Sequence, residues 1–441
     1  MGAAQAVYAE VRALLLARQR ADKTLRSEAG RLRILRQISG YLDACGRPDA
    51  RHTIHVVGTD GKGSTAIMVE AMLRTSGART LLETSPHLHE LTERVVIDGR
   101  PLGLQHFERS ARRLLDDPRC AEWSFFDLVT VLGWIAASEL GCDWQVLEAG
   151  IGGRLDTTNT VIRKQVAIIT SIDLEHTAIL GDTIRQIAAE KAAILRGTCD
   201  AVVGASVPAA AIDEVRQRAA KVGARVHLVA EECATRVCAT SLTEQIIELQ
   251  TPLRTYVLYL PMLGAHQAEN AAAAVRACEL ALGDQLTEAM VLRALRSAHN
   301  PGRFEVFAGK PLLILDALHT EHAALRFLET VASMPLPSER ALVFAALADK
   351  RIAALLDVLR DLRMPVFVAP VASDRSADPE AVVQEFHARG TTALATASIE
   401  LAIEAAKRRV GPEGVVFVVG GVYTVAEARA VLGQAPSADA P

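Results

Sequence analysis

Ile54-His-Val-Val-Gly58-Thr-Asp-Gly61-Lys-Gly-Ser64 is the stretch around which the chain is organised. Four residues of strand character, 54–57, run into a glycine loop, and an apolar-periodic segment begins near Thr65. Glycines at 58, 61 and 63 let backbone N–H groups curl around an anion at a helix N-terminus. Lys62 follows at the place from which an ammonium reaches β- and γ-phosphates, and Ser64 offers a hydroxyl to Mg²⁺. The loop is shorter than G-x-x-x-x-G-K-[ST], with two residues between Gly58 and Gly61. The reading is a nucleotide-phosphate loop formed by Gly58, Thr59, Asp60, Gly61, Lys62, Gly63 and Ser64.

Outward from that loop, strand and helix patterns alternate. Helical spacing covers 4–19 and 29–45, then about 65–76, 104–115, 125–140, 183–195, 208–221, 266–283 and 286–297. Short apolar runs at 80–83, 93–97, 144–147, 166–171, 201–204 and 226–229 read as strands, and 235–260 as a hairpin or meander. Asn300-Pro-Gly-Arg303 is a turn signal, after which the alternation restarts. Strands are expected at 304–308, 312–316, 341–345, 366–369 and 415–419, with helices at about 321–333, 351–361, 378–389, 397–408 and 424–432. The fold class is α/β: an N-terminal P-loop ATPase domain with a parallel sheet, residues 1–297, and a smaller C-terminal Rossmann-like α/β domain, residues 298–441. Residues 435–441 read as a frayed tail.

The composition narrows the function classes. The chain has 441 residues, half of them hydrophobic and 23% charged, with net charge −4. No basic run suits nucleic acid, and no window approaches ~18 apolar residues, so no membrane partner is expected. Seven dispersed cysteines read as free thiols of a reducing cytoplasm. Small-molecule substrates and a monomer are expected.

A series of further motifs follows the loop: Thr84-Ser-Pro-His-Leu88 with Glu93-Arg94; Phe125-Phe-Asp127; Leu147-Glu-Ala-Gly-Ile-Gly-Gly-Arg-Leu-Asp156 with Thr158-Asn159; Ile169-Thr-Ser-Ile172 with His176-Thr177; Ile179-Leu-Gly-Asp-Thr183; Ala189-Glu-Lys-Ala192; His266-Gln267 with Glu269-Asn-Ala271; Pro301-Gly-Arg303; Asp316 with His319; and Leu347-Ala-Asp-Lys350. In this order, over nearly the whole chain, they resemble the folylpolyglutamate synthase/dihydrofolate synthase family, a branch of the ATP-dependent Mur ligases.

The resemblance implies amide-bond formation in which ATP phosphorylates a carboxylate and an amine attacks the acyl phosphate. The difficulty is repulsion between two anions, which divalent metals and a lysine relieve at the γ-phosphate. The catalytic set it implies is Lys62, Glu148, His176 and Lys191. Glu148 ends a strand at the edge where α/β sheets bind ligands. Ser64, Ser85, Glu148, His176 and Lys191 are its expected metal-site residues, for two Mg²⁺ ions, with Lys191 carbamylated by CO₂. A carbamate turns a cation into an anion and needs a neutral amine, hence burial. Asn270, Arg303 and Asp316 complete the ATP set, Arg303 at a hinge between the domains. Phe125, Phe126, Asp127, Leu155, Asp156 and Thr157 are the implied pterin pocket, an aromatic wall with carboxylates for an amino-pyrimidine edge. His319 and Thr320 fall near the amino-acid acceptor.

The sequence departs from the family pattern at a few places. Asp60 stands where asparagine is usual, Leu91-Thr92 where Phe-Asn is usual, and Asp316-Ala-Leu-His-Thr320 where Asp-Gly-Ala-His-Asn is usual. Leu318 and Thr320 put the acceptor side in question. The first reading is a ligase joining L-glutamate to dihydropteroate or a folate. The alternatives are a divergent ligase for another carboxylate and amine, and a non-catalytic nucleotide-binding protein.

Overall fold

The computed structural model describes residues 3–22, 27–49, 51–348 and 352–434. Asp349 and Lys350 of the last motif and the tail 435–441 lie outside the described residues.

The chain forms two compact units. The first comprises residues 1–236, 248–258 and 268–298, and the second 237–247, 259–267 and 299–441. The division therefore runs through the meander, whose hairpin ends group with the second unit, whereas the sequence suggests a single cut near residue 298.

The first unit is built on an eight-stranded sheet in the order β4-β3-β2-β5-β1-β6-β7-β8. Its strands are β1 His52–Val57, β2 Thr80–Glu83, β3 Val95–Ile97, β4 Arg100–Pro101, β5 Trp144–Glu148, β6 Val166–Ile169, β7 Asp200–Val203 and β8 Arg225–Leu228. From β2 to β8 all pairings are parallel, while β3 and β4 are added antiparallel. The central strands are buried along almost their whole length because helices cover both faces. Of those helices, α1 is Ala3–Asp22, α2 Glu28–Ala44, α3 Lys62–Thr75, α4 Leu104–Leu115, α5 Phe125–Glu139, α6 Ile184–Ala192 and α7 Ala265–Leu282.

Local sequence sets the helix starts. Ser124 accepts the Asp127 N–H while the Asp127 carboxylate takes the Ser124 N–H, a capping box that fixes where α5 begins. Thr183 and Gln186 do the same for α6. Gly61 caps α3 at φ +81°, a conformation open to glycine.

In-register pairing puts Val95, Glu83, Leu147 and His55 side by side on one sheet face. Trp123, Trp134, Leu128, Leu132 and Phe107 pack in the core beneath α1, α2, α4 and α5. A second core of β6, β7 and α6 residues, including Ile169, Val203 and Ile187, lies on the sheet's other half.

The three-stranded meander is β9 Ala234–Thr240, β10 Gln245–Gln250 and β11 Thr255–Leu260. The second unit holds a six-stranded sheet ordered β12-β13-β17-β14-β15-β16. Its strands are β12 Glu305–Phe307, β13 Leu312–Asp316, β14 Arg340–Ala345, β15 Val366–Val368, β16 Ala393–Ala395 and β17 Val415–Gly420. All pairs are parallel except β12 with β13. The short β16 is absent from the sequence reading, since three residues give too little alternation to register. Helix α8 is Glu321–Ser333.

Candidate active site

The phosphate loop leaves the carboxyl end of β1 and is laced to the end of β6. The Thr59 N–H donates to Ser171 O at 2.9 Å, and the Asp60 N–H to Ser171 Oγ at 2.8 Å. The Thr170 and Ser171 hydroxyls return bonds to Asp60 O at 2.6 and 3.1 Å. A Cβ on Gly58 would sit 1.9 Å from Thr170 Oγ1, and one on Gly61 would sit 2.4 Å from Asn270 Oδ1. Two glycines are thus required by close approach, and Asn270, 212 positions away from Gly58 in the chain, is brought onto the loop. Thr170 and Ser171, which fix Asp60, sit in a quoted motif but are missing from the expected site set. A hydroxyl in a polar motif carries no signal of its own.

Both lysines turn onto this loop. Lys62 donates to Thr59 O at 2.8 Å, and Lys191 to Gly58 O at 2.6 Å. Lys191 is 2% exposed. Burial first, and then the Lys62 charge, pull its pKa from 10.5 to about 7, against the raising effect of Glu175 and Asp60. Glu175 is a further acid of the site that the sequence reading omits.

Glu148 ends β5, nearly buried, and its Oε2 accepts the Ser85 N–H at 2.8 Å. That bond joins two of the five expected metal-site residues at adjacent strand ends. Ser64 is buried in the first turn of α3. His176 stands at φ +50° before the short helix Thr177–Leu180, its Nε2 3.5 Å from Glu175 Oε1. Among the described residues, no cluster of three or more His, Cys, Asp or Glu side chains is gathered as a metal site. The donor chemistry is nonetheless suited to Mg²⁺, which takes one or two carboxylates, hydroxyls and retained waters.

The expected pterin residues form one polar knot. Asp127 is fully buried. It accepts from Ser124 N and Oγ, from the Thr157 hydroxyl, and from Arg31 Nη1 at 2.8 and 2.9 Å. Asp156 accepts the Gly150, Ile151 and Thr158 N–H groups and the Thr158 hydroxyl. Thr158 in turn bonds His55 Nε2 at 2.7 Å. Both carboxylates therefore hold the loop 150–158 in shape, where the sequence reading gives them directly to a ligand. The Phe126 ring lies against Gly150, and the Phe125 ring beneath the Arg94 guanidinium, 5.1 Å away. Leu155 gives its carbonyl to Arg31 Nε at 2.9 Å. Arg31 is absent from the expected set; on a helix of mixed charge it looks like any solvated arginine. On the same sheet face, both Glu83 carboxyl oxygens are buried without a hydrogen-bond partner. Burial, then Asp156, hold its pKa well above the ordinary 4.5.

In the second unit, Arg303 Nη1 donates to Ala317 O at 2.6 Å, and Asp316 Oδ2 accepts the Phe304 N–H at 3.0 Å. The turn 301–304 and the end of β13 are thereby one piece. Leu318 is wholly buried in the core with Phe304, Ile314 and Phe327. Thr320 is the N-cap of α8, its hydroxyl accepting the Ala323 N–H at 3.1 Å. The idea that Leu318 crowds an acceptor pocket is corrected: its side chain fills a hydrophobic core.

Fold and site together define an α/β protein of the nucleotide-loop type. Family models described as the Mur ligase middle domain and the Mur ligase glutamate ligase domain match residues 56–278 and 302–422. A dihydrofolate synthase/folylpolyglutamate synthase of Mycobacterium tuberculosis is 32% identical over 373 residues, covering 79% of this chain and 76% of that one. A probable bifunctional folylpolyglutamate synthase/dihydropteroate synthase of Haloferax volcanii is 36% identical over 387 residues, 85% of this chain. The chain spans about half (45%) of the length of that relative. Among solved structures, Mycobacterium tuberculosis folylpolyglutamate synthase with ADP aligns at TM-score 0.87 and 28% identity, covering 98% of this chain and 99% of that chain. Escherichia coli FolC with DHPP and ADP aligns at TM-score 0.82 and 28% identity, over 95% and 97% of the two chains. The chain belongs to the Mur ligase family, in its folylpolyglutamate synthase/dihydrofolate synthase branch.

Proposed function

We propose that the protein is an ATP-dependent amide ligase joining L-glutamate to the carboxylate of a dihydropteroate or folate, with release of ADP and phosphate. The observation that carries the reading is the phosphate loop with Lys62 and buried Lys191 both folded onto its carbonyls. The Lys62 ammonium beside a curl of N–H groups suits a polyphosphate.

The residues divide the work. Gly58 to Ser64 cradle the phosphates, with Asn270 over Gly61; Arg303 and Asp316, bonded into the end of β13, are the nucleotide residues that the resemblance implies in the second unit. Lys62 swings from Thr59 O to the γ-phosphate when ATP binds and neutralises the charge that repels the substrate carboxylate. Ser64, Ser85 and Glu148 offer oxygen ligands to Mg²⁺, with His176 and a carbamylated Lys191 as the second group of ligating residues. When bound, Mg²⁺ supplies charge neutralisation at the transferred phosphoryl group. Lys191 accepts CO₂ because its amine is half neutral near pH 7, and the resulting carbamate is an anion that can orient a metal-bound group. Phe125 and Phe126, with the loop 155–157, form the wall against which a flat heterocycle lies, and His319 and Thr320 lie toward the amino acid. Support for nucleotide and metal comes from relatives: one structure of the Yersinia pestis bifunctional synthase carries AMPPNP and Mn.

The divergent-acceptor reading loses its motive, since Leu318 packs in the core and Thr320 caps a helix. ADP release measured with dihydropteroate, pteroate and folates, each with and without L-glutamate, tests the proposal. Release that needs both a pteroate-type carboxylate and glutamate is expected. Release driven equally well by an unrelated carboxylate or amine overturns it.

A further inference from the structure

We propose that Arg31 is a positioning residue for the carboxylate-substrate pocket, setting its shape from a helix that carries none of the expected site residues. This rests on the reading of residues 125–127 and 155–157 as that pocket. The guanidinium has five N–H donors in one rigid plane. Nη1 spans both Asp127 oxygens at 2.8 and 2.9 Å, Nη2 reaches Thr157 Oγ1 at 2.8 Å, and Nε reaches Leu155 O at 2.9 Å. One planar group therefore fixes α2, the first turn of α5 and the turn that follows Gly153. These partners lie 96 to 126 positions from Arg31 in the chain.

Three of the six pocket residues expected from sequence, Asp127, Leu155 and Thr157, are bound to this one side chain. Asp127 is 0% exposed, so its charge has no water to fall back on, and Arg31 is the cation in contact with it. The Thr157 hydroxyl donates to Asp127 and accepts from Arg31, closing a ring of three side chains. A second strut runs from the same helix: Glu28 binds Arg154 at 2.6 Å, and Arg154 binds Glu190 at 2.8 Å, one position before Lys191. That strut is largely exposed and screened; the Arg31 fork is mostly buried. A lysine cannot replace it, because a single ammonium can hold Asp127 but not the carbonyl and hydroxyl on the far side.

The test measures ADP release by Arg31→Ala, Arg31→Lys and Thr157→Val with pteroate and glutamate, and hydrogen exchange on the ligand-free proteins. Expected is a rise of tenfold or more in KM for pteroate in Arg31→Ala, with KM for ATP within twofold of wild type. Arg31→Lys should recover only part of that loss, and Thr157→Val should show a smaller rise of the same kind. Exchange should accelerate over 124–128 and 154–158 and stay unchanged over 54–64. The proposal is overturned if both Arg31 variants keep pteroate KM within twofold, if KM for ATP rises equally, or if exchange accelerates uniformly. Should Arg31→Ala not fold, Arg31→Lys and Thr157→Val decide by the same criteria. If wild type shows no pteroate- or folate-dependent ADP release, the functional reading fails, while local exchange over 154–158 still decides for or against the brace.

Discussion

Lys191 provides the sharpest quantitative test of the proposed chemistry. Its amine, bonded to Gly58 O, is buried and faces the Lys62 charge, and burial first and then that charge place its pKa at about 7 where an ordinary lysine has 10.5. That drop corresponds to about 5 kcal/mol of disfavour for the ammonium. At pH 7 about half the amines are neutral, against roughly one in 3,000 for an exposed lysine. Only the neutral form attacks CO₂, so carbamate formation should have a midpoint near pH 7 and be almost complete at pH 8.5 in excess bicarbonate. The sign for stability follows. Between about pH 7 and 10.5 the unfolded chain binds the proton and the folded chain does not, so this residue makes stability rise with pH across that window. Below pH 7 the ammonium is buried and the penalty is full. The assay is ¹³C NMR of protein equilibrated with ¹³C-bicarbonate, wild type against Lys191→Arg. A single carbamate signal that titrates near pH 7 and is missing from the variant is expected. No such signal at pH 8.5, or an amine that titrates near 10.5 in competitive labelling, refutes the reasoning. Lys62→Met should raise the midpoint, since a repelling charge is removed.

Glu148→Gln removes a charge from the proposed metal site but keeps an acceptor for the Ser85 N–H, so turnover should fall by orders of magnitude with the melting temperature nearly unchanged; near-wild-type turnover rejects the assignment. Glu83 is neutral in the folded state well above pH 4.5, so stability should fall as pH rises above 4.5 and the unfolded carboxyl ionises; Glu83→Gln should flatten that slope in urea titrations, and an unchanged slope would show that Glu83 does not set it. Leu318→Ala empties a core position and should cost ~2–5 kcal/mol without improving glutamate use. Thr320→Asn keeps an N-cap acceptor and should leave both stability and glutamate KM close to wild type; a gain in glutamate efficiency from the pair would restore the divergent-acceptor idea.

The chain's local chemistry was readable because it is local. A glycine loop between a strand and a helix and runs of period 2 or 3.6 are set by neighbours within a turn or two. The alternation of β and α elements, the start of α4 at 104, and the strand 312–316 followed from that alone. So did membership of the family, because the motifs occur in order along the chain. Other features depended on which distant residues fold against one another. Asn270 became part of the loop only because α7 packs where Gly61 has no side chain. Asp127 is tied to Arg31, from another helix, by a fork that no local pattern announces. Leu318 looked like a pocket residue beside His319, yet it packs in the core with Phe304, Ile314 and Phe327. Burial of Lys191 decided its protonation, and burial is a property of the packed molecule: a lysine on a helix carries no mark in the sequence of the atoms that will enclose it.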